Sequence, residues 1–332
     1  MRTVKYSKTT SWKQASQTLA KDPKARAISG GSDLLGMIKE DVAGKGLPRW
    51  ETLVDIRTIP GSDSIAYSGS SGLTLGAMAT LSAIEASADI QKNYPVLAKA
   101  AGAAASPNIR NVGTIGGNVN QRPRCWYFRG TEFDCYKKGG NVCFAVAGDN
   151  TYHAILNGEL CNMVHPSDTA PALMALGAKA VISTASGGEK TVSMDSYFTG
   201  PRVDVLRENI LNQGDLLKEI QIPAPKPGTG MSFIKAQRRG ETYDFAMANV
   251  ATVITKQNGK VTDVSIVLSG VAPTPYRVTA AENALKGQAV DAKLAQTAAE
   301  QGLAQAKPMT NNAYKVQLAK NLVARSIIEA WG

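Results

Sequence analysis

The chain has 332 residues, 43% of them apolar and 19% charged, which is ordinary for a globular protein with room for two or three domains. Neither the opening M-R-T-V-K-Y-S-K-T-T nor any later run is apolar enough for a secretory leader or a bilayer span; the chain is expected to be made in the cytoplasm, with export only as a passenger on a signal-bearing partner. A formal charge of +10 raises nucleic acid as a ligand, but the basic residues are scattered into short groups such as Arg238-Arg239 and Lys137-Lys138, without a long tract or interleaved aromatics. Solubility or an acidic partner surface accounts for the charge better, and no nucleic acid is expected.

Ser11 caps a predicted helix running to Lys21, with Trp12, Ala15 and Leu19 on one face and Pro23 beyond its end. A short apolar strand then enters A-I-S-G-G-S-D-L-L, comprising Ala27, Ile28, Ser29, Gly30, Gly31, Ser32 and Asp33 before the helix Leu34 to Glu40. Gly30 and Gly31 can take positive φ and turn successive amides into one concavity, and Ser32 and Asp33 are good caps for the helix. An anionic phosphate needs that order of strand, glycine turn and helix; a plain tight turn with a capped helix has the same signature. Strands are expected at Thr52 to Asp55, Ser64 to Tyr67 and Leu73 to Leu75, then a helix capped by Thr80 or Ser82 and another from Tyr94 to Ala105.

The most informative stretch follows. Ser106 opens S-P-N-I-R-N-V-G-T-I-G-G-N, a second glycine turn with Gly113, Thr114, Gly116, Gly117 and Asn118. Its spacing is not that of the dinucleotide fingerprint, and no clean helix is expected after it. A pyrophosphate presents two charged groups, which two such turns would suit. Every cysteine then falls in one segment: Cys125, Cys135, Cys143 and Cys161. Ordinary core cysteines would be spread along the chain, and paired disulfides are rare in cytoplasmic proteins.

Beyond Asp168, a helix over Ala170 to Leu176, a strand over Lys179 to Ser183, a short helix at Asp195 to Phe198 and a strand over Leu216 to Ile222 lead to P-A-P-K-P-G at Pro223 to Gly228, the best domain boundary. Three strands (Met231 to Arg238, Ala248 to Lys256, Val261 to Ser269) and three helices (Thr279 to Lys286, Ala292 to Gln305, Asn312 to Ala330) complete the chain. Strands followed by helices indicate an α+β domain.

With these motifs in hand, the chain resembles the FAD-binding (medium) subunit of the molybdenum hydroxylase or xanthine dehydrogenase family, over nearly its whole length. The likeness rests on A-I-S-G-G-S-D-L-L, on L-T-L-G-A-M-A-T-L (Leu73 to Leu81), on I-R-N-V-G-T-I-G-G-N (Ile109 to Asn118), on S-D-T-A-P (Ser167 to Pro171) and on K-A-Q-R-R-G-E-T-Y-D-F-A (Lys235 to Ala246), in the family's order. It implies an α+β chain: a two-subdomain FAD-binding fold of the vanillyl-alcohol-oxidase/PCMH type, followed by an α+β C-terminal domain of antiparallel strands plus helices. The corresponding segments are 1–55, 56–225 with a cysteine-bearing insertion at about 119–165, and 229–332. Both glycine turns would hold the FAD pyrophosphate. Asp168 would accept from ribityl or ribose hydroxyls, or cap the helix behind it. Lys235 would neighbour the flavin ring, or be a solvent-exposed strand lysine.

The insertion most resembles those of the medium subunits of periplasmic aldehyde oxidoreductases and of 4-hydroxybenzoyl-CoA reductase, R-P-R-C-W-Y-F (Arg122 to Phe128) being closest to the aldehyde oxidoreductase type. This implies a [4Fe-4S] cluster on Cys125, Cys135, Cys143 and Cys161, since such a cluster takes four thiolates. The flanking arginines would lower the thiol pKa values and offset an anionic cluster. A structural zinc site usually shows a short paired spacing that is missing here; disulfides and free thiols also stay open. His153 and His165 read as packing or cluster-shielding residues. The implied role is an electron-transfer subunit beside a large molybdenum-cofactor subunit and a small subunit with two [2Fe-2S] clusters, as a heterotrimer or its dimer, passing electrons to an external acceptor; no acid–base residue is named. A stand-alone flavin oxidoreductase or a non-catalytic metal-stapled interaction module are the alternatives. The near absence of histidine, two in the chain, counts mildly against the former.

Overall fold

The computed structural model describes residues 3–239 and 243–332. Met1 and Arg2 of the opening, and Gly240, Glu241 and Thr242 in the middle of the Lys235–Ala246 motif, lie outside the described residues. Three sheets organise the rest. The first is parallel, with β1 (Lys5–Lys8), β2 (Ala25–Ile28) and β3 (Thr52–Asp55) in the order β1-β3-β2. Parallel neighbours need a crossover, and helix Trp12–Lys21 provides one; Ser11 accepts from the Gln14 amide, and Ala15 and Leu19 are buried.

The second sheet is antiparallel: β4 (Ile65–Ser68), β5 (Gly72–Gly76), β6 (Lys179–Ser183), β7 (Glu189–Ser193) and β8 (Leu216–Ile222) lie in the order β4-β5-β8-β6-β7. The chain leaves it after β5 and returns at β6 only after residues 77–178, which hold the second glycine turn and all four cysteines. Helices Leu81–Ala86, Pro95–Gly102 and Thr169–Ala175 share the main core with this sheet through Leu97, Leu173, Leu75 and Ile220.

The third sheet, β9 (Thr229–Ala236), β10 (Ala248–Gln257), β11 (Lys260–Ser269) and β12 (Tyr276–Arg277), is antiparallel in the order β12-β11-β10-β9. Successive residues of a strand face opposite ways, and both faces here are covered. Val250, Ile254, Ile266 and Leu268 pack with helices Thr279–Leu285, Ala292–Gly302 and Tyr314–Trp331, while Ala251 and Val267 join the main core. The C-terminal sheet is thus a middle layer, which brings β9 and Lys235 against the N-terminal half. No described helix is long and apolar enough to cross a membrane.

Several expectations shift. The helix expected from Tyr94 starts at Pro95, as Tyr94 has a non-helical backbone that separates it from helix Ala88–Asn93. A short helix, Ile115–Val119, does follow the second glycine turn, capped by Thr114 on the Gly117 amide. Strands β1, β7 and β12 are additions to the expected set; KYSK and EKTVS carry little apolar alternation, and they form because a sheet edge pairs them.

Candidate flavin cleft and cysteine insertion

A cleft of about 700 Å³ opens between the first sheet, the second glycine turn and residues 204–217, which are irregular until β8 begins at Leu216, within the size range of cofactor sites. Ala27, Ile28, Ser29, Gly30, Gly31, Ser32 and Asp33 line it on one side, and Gly113, Thr114, Gly116, Gly117 and Asn118 on another, with Asp168 and Lys235 at the C-terminal domain. Ser106 is not among the lining residues; its hydroxyl accepts from the Ile109 amide at the start of helix Pro107–Arg110.

The two turns touch. A Cβ on Gly30 would sit 1.9 Å from the Val112 carbonyl oxygen, so only glycine lets the backbones abut. Gly31 alone of the two takes positive φ, at +74°. The Thr114 hydroxyl donates to Ser29 Oγ at 3.1 Å and accepts from the Gly117 amide at 3.0 Å, bracing one turn on the other. Among the described residues none supplies an acceptor to the amides of residues 30–33, the condition for a backbone concavity to bind an anion. These features fit an FAD pyrophosphate.

Two expected caps are reassigned. Asp33 makes no side-chain cap bond; its carboxylate accepts from the Arg122 amide (2.8 Å) and Arg129 (2.6 Å) and pairs with Arg124 (3.0 Å). Asp168 makes no cap bond either, and Ser167 caps helix Thr169–Ala175 by accepting from the Ala170 amide. Asp168 instead accepts from Lys235 at 2.8 Å and from Asn249 at 2.7 Å, all three buried or nearly so. Burial pushes the Asp168 carboxyl up, and Lys235 with Asn249 offset part of that rise. Lys235 is therefore not solvent-exposed: its ammonium also donates to the Ala103 carbonyl, at 2.8 Å. Asn118 ties the second turn to this corner by accepting from Ser167 (2.5 Å) and Thr169 (2.7 Å).

The four cysteines are gathered beside the cleft as free thiols. Cys125 lies within electrostatic reach of Cys135 and Cys161, and Cys143 within reach of both of those. Cys125 precedes helix Trp126–Arg129, and Cys135 and Cys143 each precede a single helical turn. Backbone amides of Tyr127 and Phe128 work to lower the Cys125 thiol, those of Lys137 and Lys138 the Cys135 thiol, and that of Met163 the Cys161 thiol, and Asn162 Nδ2 donates to Cys143 Sγ at 3.5 Å. Burial pushes the Cys125 thiol up to about 12 and Cys161 to about 11, and raises Cys135 as well. Such buried thiols ionise only opposite a strong positive charge, as bound metal supplies.

Among the described residues, no group of three or more His, Cys, Asp and Glu side chains is positioned to hold a metal ion. Zinc draws its ligand sulfurs in to roughly 2.3 Å from one centre, whereas an iron–sulfur cubane spreads four thiolates around a larger body. The four thiols, none of them in a disulfide, are the donor set that a four-thiolate iron–sulfur cluster takes.

The arginines flanking Cys125 do not serve the thiols. Arg122 pairs with Glu208 and lies over the Phe128 ring, and Arg124 pairs with Asp33 and lies over Phe245. The cations that pull thiols down are the buried Lys137, on Cys161, and Lys138, on Cys135. His153 does shield the cysteines, with Nε2 3.2 Å from Cys125 Sγ and its ring edge-on to Trp126. His165 packs edge-on against Phe198. Burial holds both histidines down at about 4. Sequence reasoning missed the wall at 204–217, where Glu208 is buried; its one signal is the length of loop without regular structure between residues 197 and 215.

Residues 2–225 match the family model described as FAD binding domain in molybdopterin dehydrogenase, and residues 232–330 that described as CO dehydrogenase flavoprotein C-terminal domain. The aldehyde oxidoreductase FAD-binding subunit PaoB of Escherichia coli (strain K12) is 30% identical, the match covering 99% of each chain. The carbon monoxide dehydrogenase medium chain of Hydrogenophaga pseudoflava is 30% identical over 92% of this chain and 89% of its own. A solved structure of carbon monoxide dehydrogenase from that organism, lacking the Mo-pyranopterin moiety of its cofactor, superposes with a TM-score of 0.77 at 28% identity, covering 99% of this chain and 98% of the other.

Proposed function

Since the chain belongs to the FAD-binding medium subunits of heteromeric molybdenum hydroxylases, we propose that it serves an aldehyde oxidoreductase-type complex and that Cys125, Cys135, Cys143 and Cys161 hold a [4Fe-4S] cluster beside its flavin. In that assembly a large partner carries the molybdenum cofactor and a small partner two [2Fe-2S] clusters, together a heterotrimer or its dimer, and an external acceptor takes the electrons. The likeness to PaoB along the whole chain supports the aldehyde reading. The observation that carries the cluster is the mutual electrostatic reach of all four thiols, two of which pack with Ile28, Leu34 and Met37 of the cleft wall.

FAD supplies, when bound, the exchange between single and paired electrons, and the protein supplies binding, orientation and local charge. The amides of residues 30–33 would bind the pyrophosphate; in the second turn the amides of Gly113 and of Ile115 to Asn118 already donate to Ile109, Ala79, Ala77 and Thr114, so that turn braces the first, at a spacing set by the Thr114–Ser29 bond. Asp168 keeps lone pairs for a ribityl or ribose hydroxyl while Lys235 and Asn249 fix its orientation. Lys235, held by Asp168 and the Ala103 carbonyl at the C-terminal-domain side of the cleft, would neighbour the flavin ring. The apolar and aromatic shell of Tyr127, Phe128, Phe144 and His153 keeps water from the thiols.

The test is a count of iron and acid-released flavin on the anaerobically purified complex. About eight irons per complex, falling to about four when the four cysteines are replaced by serine, with one FAD in the parent, is the expected result. Equal iron in both, after anaerobic reconstitution, would remove the cluster from this chain; absence of FAD from the complex would remove the central reading.

A further inference from the structure

Two carboxylates, the half-buried Asp33 and the buried Glu208, one from each wall of the flavin cleft, fasten the cysteine insertion in place. Asp33, directly after the first glycine turn, takes the Arg122 amide, Arg124 and Arg129. Glu208, on the opposite wall, pairs with Arg122 at 2.8 Å and with Lys137 at 2.9 Å, and Lys137 faces Cys161. All four cations belong to the insertion, and Cys125 lies between Arg124 and Arg129 in the chain. Asp33 forgoes the cap of its own helix, Leu34–Lys39, to make these contacts. A residue that breaks a favourable local rule is answering a demand from elsewhere. The demand here comes from the loop that carries the thiols.

We propose that Asp33 is a positioning residue that couples the two cofactor sites: ligation of the cysteines orders the Arg122–Arg129 segment, that segment holds Asp33, and Asp33 holds the glycine turn in its flavin-binding shape. The inference rests on the cluster reading above. Coupling between two binding events is reciprocal, so the cluster tightens FAD by the factor by which FAD tightens the cluster. A factor of about ten is expected, within the usual range for coupled sites.

The experiment is a double-mutant cycle on the whole complex with the wild type, C161S, D33N and C161S/D33N, reading the FAD dissociation constant by flavin fluorescence and the iron content of each. C161S is expected to lose about four irons and to weaken FAD about tenfold in the parent background, and to change FAD affinity by less than about twofold in the D33N background. D33E, which keeps the charge, restores part of the coupling. Should D33N fail to assemble, R129Q replaces it in the cycle, since it removes the closest Asp33 contact and leaves the carboxylate. Additive losses of FAD affinity would overturn the coupling, and so would iron lost with FAD affinity unmoved; either leaves the cluster reading standing. Equal iron in the wild-type and C161S complexes would sink the cluster reading and the coupling built on it together.

Discussion

The flavin cleft and the cysteine insertion share a wall but are held by different parts of the chain. In the cleft the backbone does the holding: two glycine turns meet where a single methyl group would not fit, and the amides of residues 30–33 have no acceptor among the described residues. In the insertion side chains do it: thiols, a histidine, two buried lysines and arginines paired to carboxylates far away in sequence. Backbone sites are broken by adding an atom and side-chain sites by removing a charge. The contrast therefore makes different predictions on its two sides.

The largest effect is expected from G30A, because the new Cβ has backbone, not a yielding side chain, 1.9 Å away. The turns must separate, and the complex should purify without FAD; a normal flavin content would break the account of the cleft. Next comes K235M, which strands the buried Asp168 charge. Removing one partner of such a pair costs about 3–5 kcal/mol, so thermal unfolding should move down steeply, and K235M/D168N should recover part of the loss.

E208Q sharpens the side-chain half of the comparison. Burial raises the Glu208 carboxyl, but Arg122 and Lys137 outweigh it and hold it below its usual 4.5. A carboxyl depressed by folding contributes stability that is present above the unfolded pKa and disappears as pH falls through the folded one. The melting temperatures of wild type and E208Q should thus differ most near neutral pH and draw together below about pH 4.5. A gap that stays constant into acid would show that Glu208 acts by shape alone. The smallest effect belongs to T114A, which removes one cap and the bond to Ser29 and leaves the glycines in place. About 1 kcal/mol is expected, or a melting shift of about 1–2 °C for a chain of 332 residues, with iron content unchanged.

Legibility in the sequence follows the same division. The Ser11 cap, the strands β3, β6 and β8 and the two glycine turns each come from a pattern a few residues long, and each forms where that pattern lies. The pairing of Asp33 with Arg122, Arg124 and Arg129 joins residues about ninety apart, and no local pattern encodes it. Adjacency misled at the same place. Arg122 and Arg124 stand beside Cys125 in sequence, yet their side chains turn to the cleft walls while Lys137 and Lys138 reach the thiols. Asp168 looked like a cap because it precedes a helix, but burial against the C-terminal sheet gave it a lysine instead.

The last helix adds an order of events. Lys315, fully buried near its start, donates to the carbonyls of Tyr152, His153 and Gly270, and Asn312 to those of His153 and Ala154. The far end of the cysteine loop is thus pinned by residues made among the final twenty or so of the chain. During synthesis all four thiols leave the ribosome long before that pin exists, so the loop must wait, open and reduced, for the terminus to arrive. A chain cut just before Asn312 would keep all four thiols and lose the contacts that pin Tyr152, His153 and Ala154.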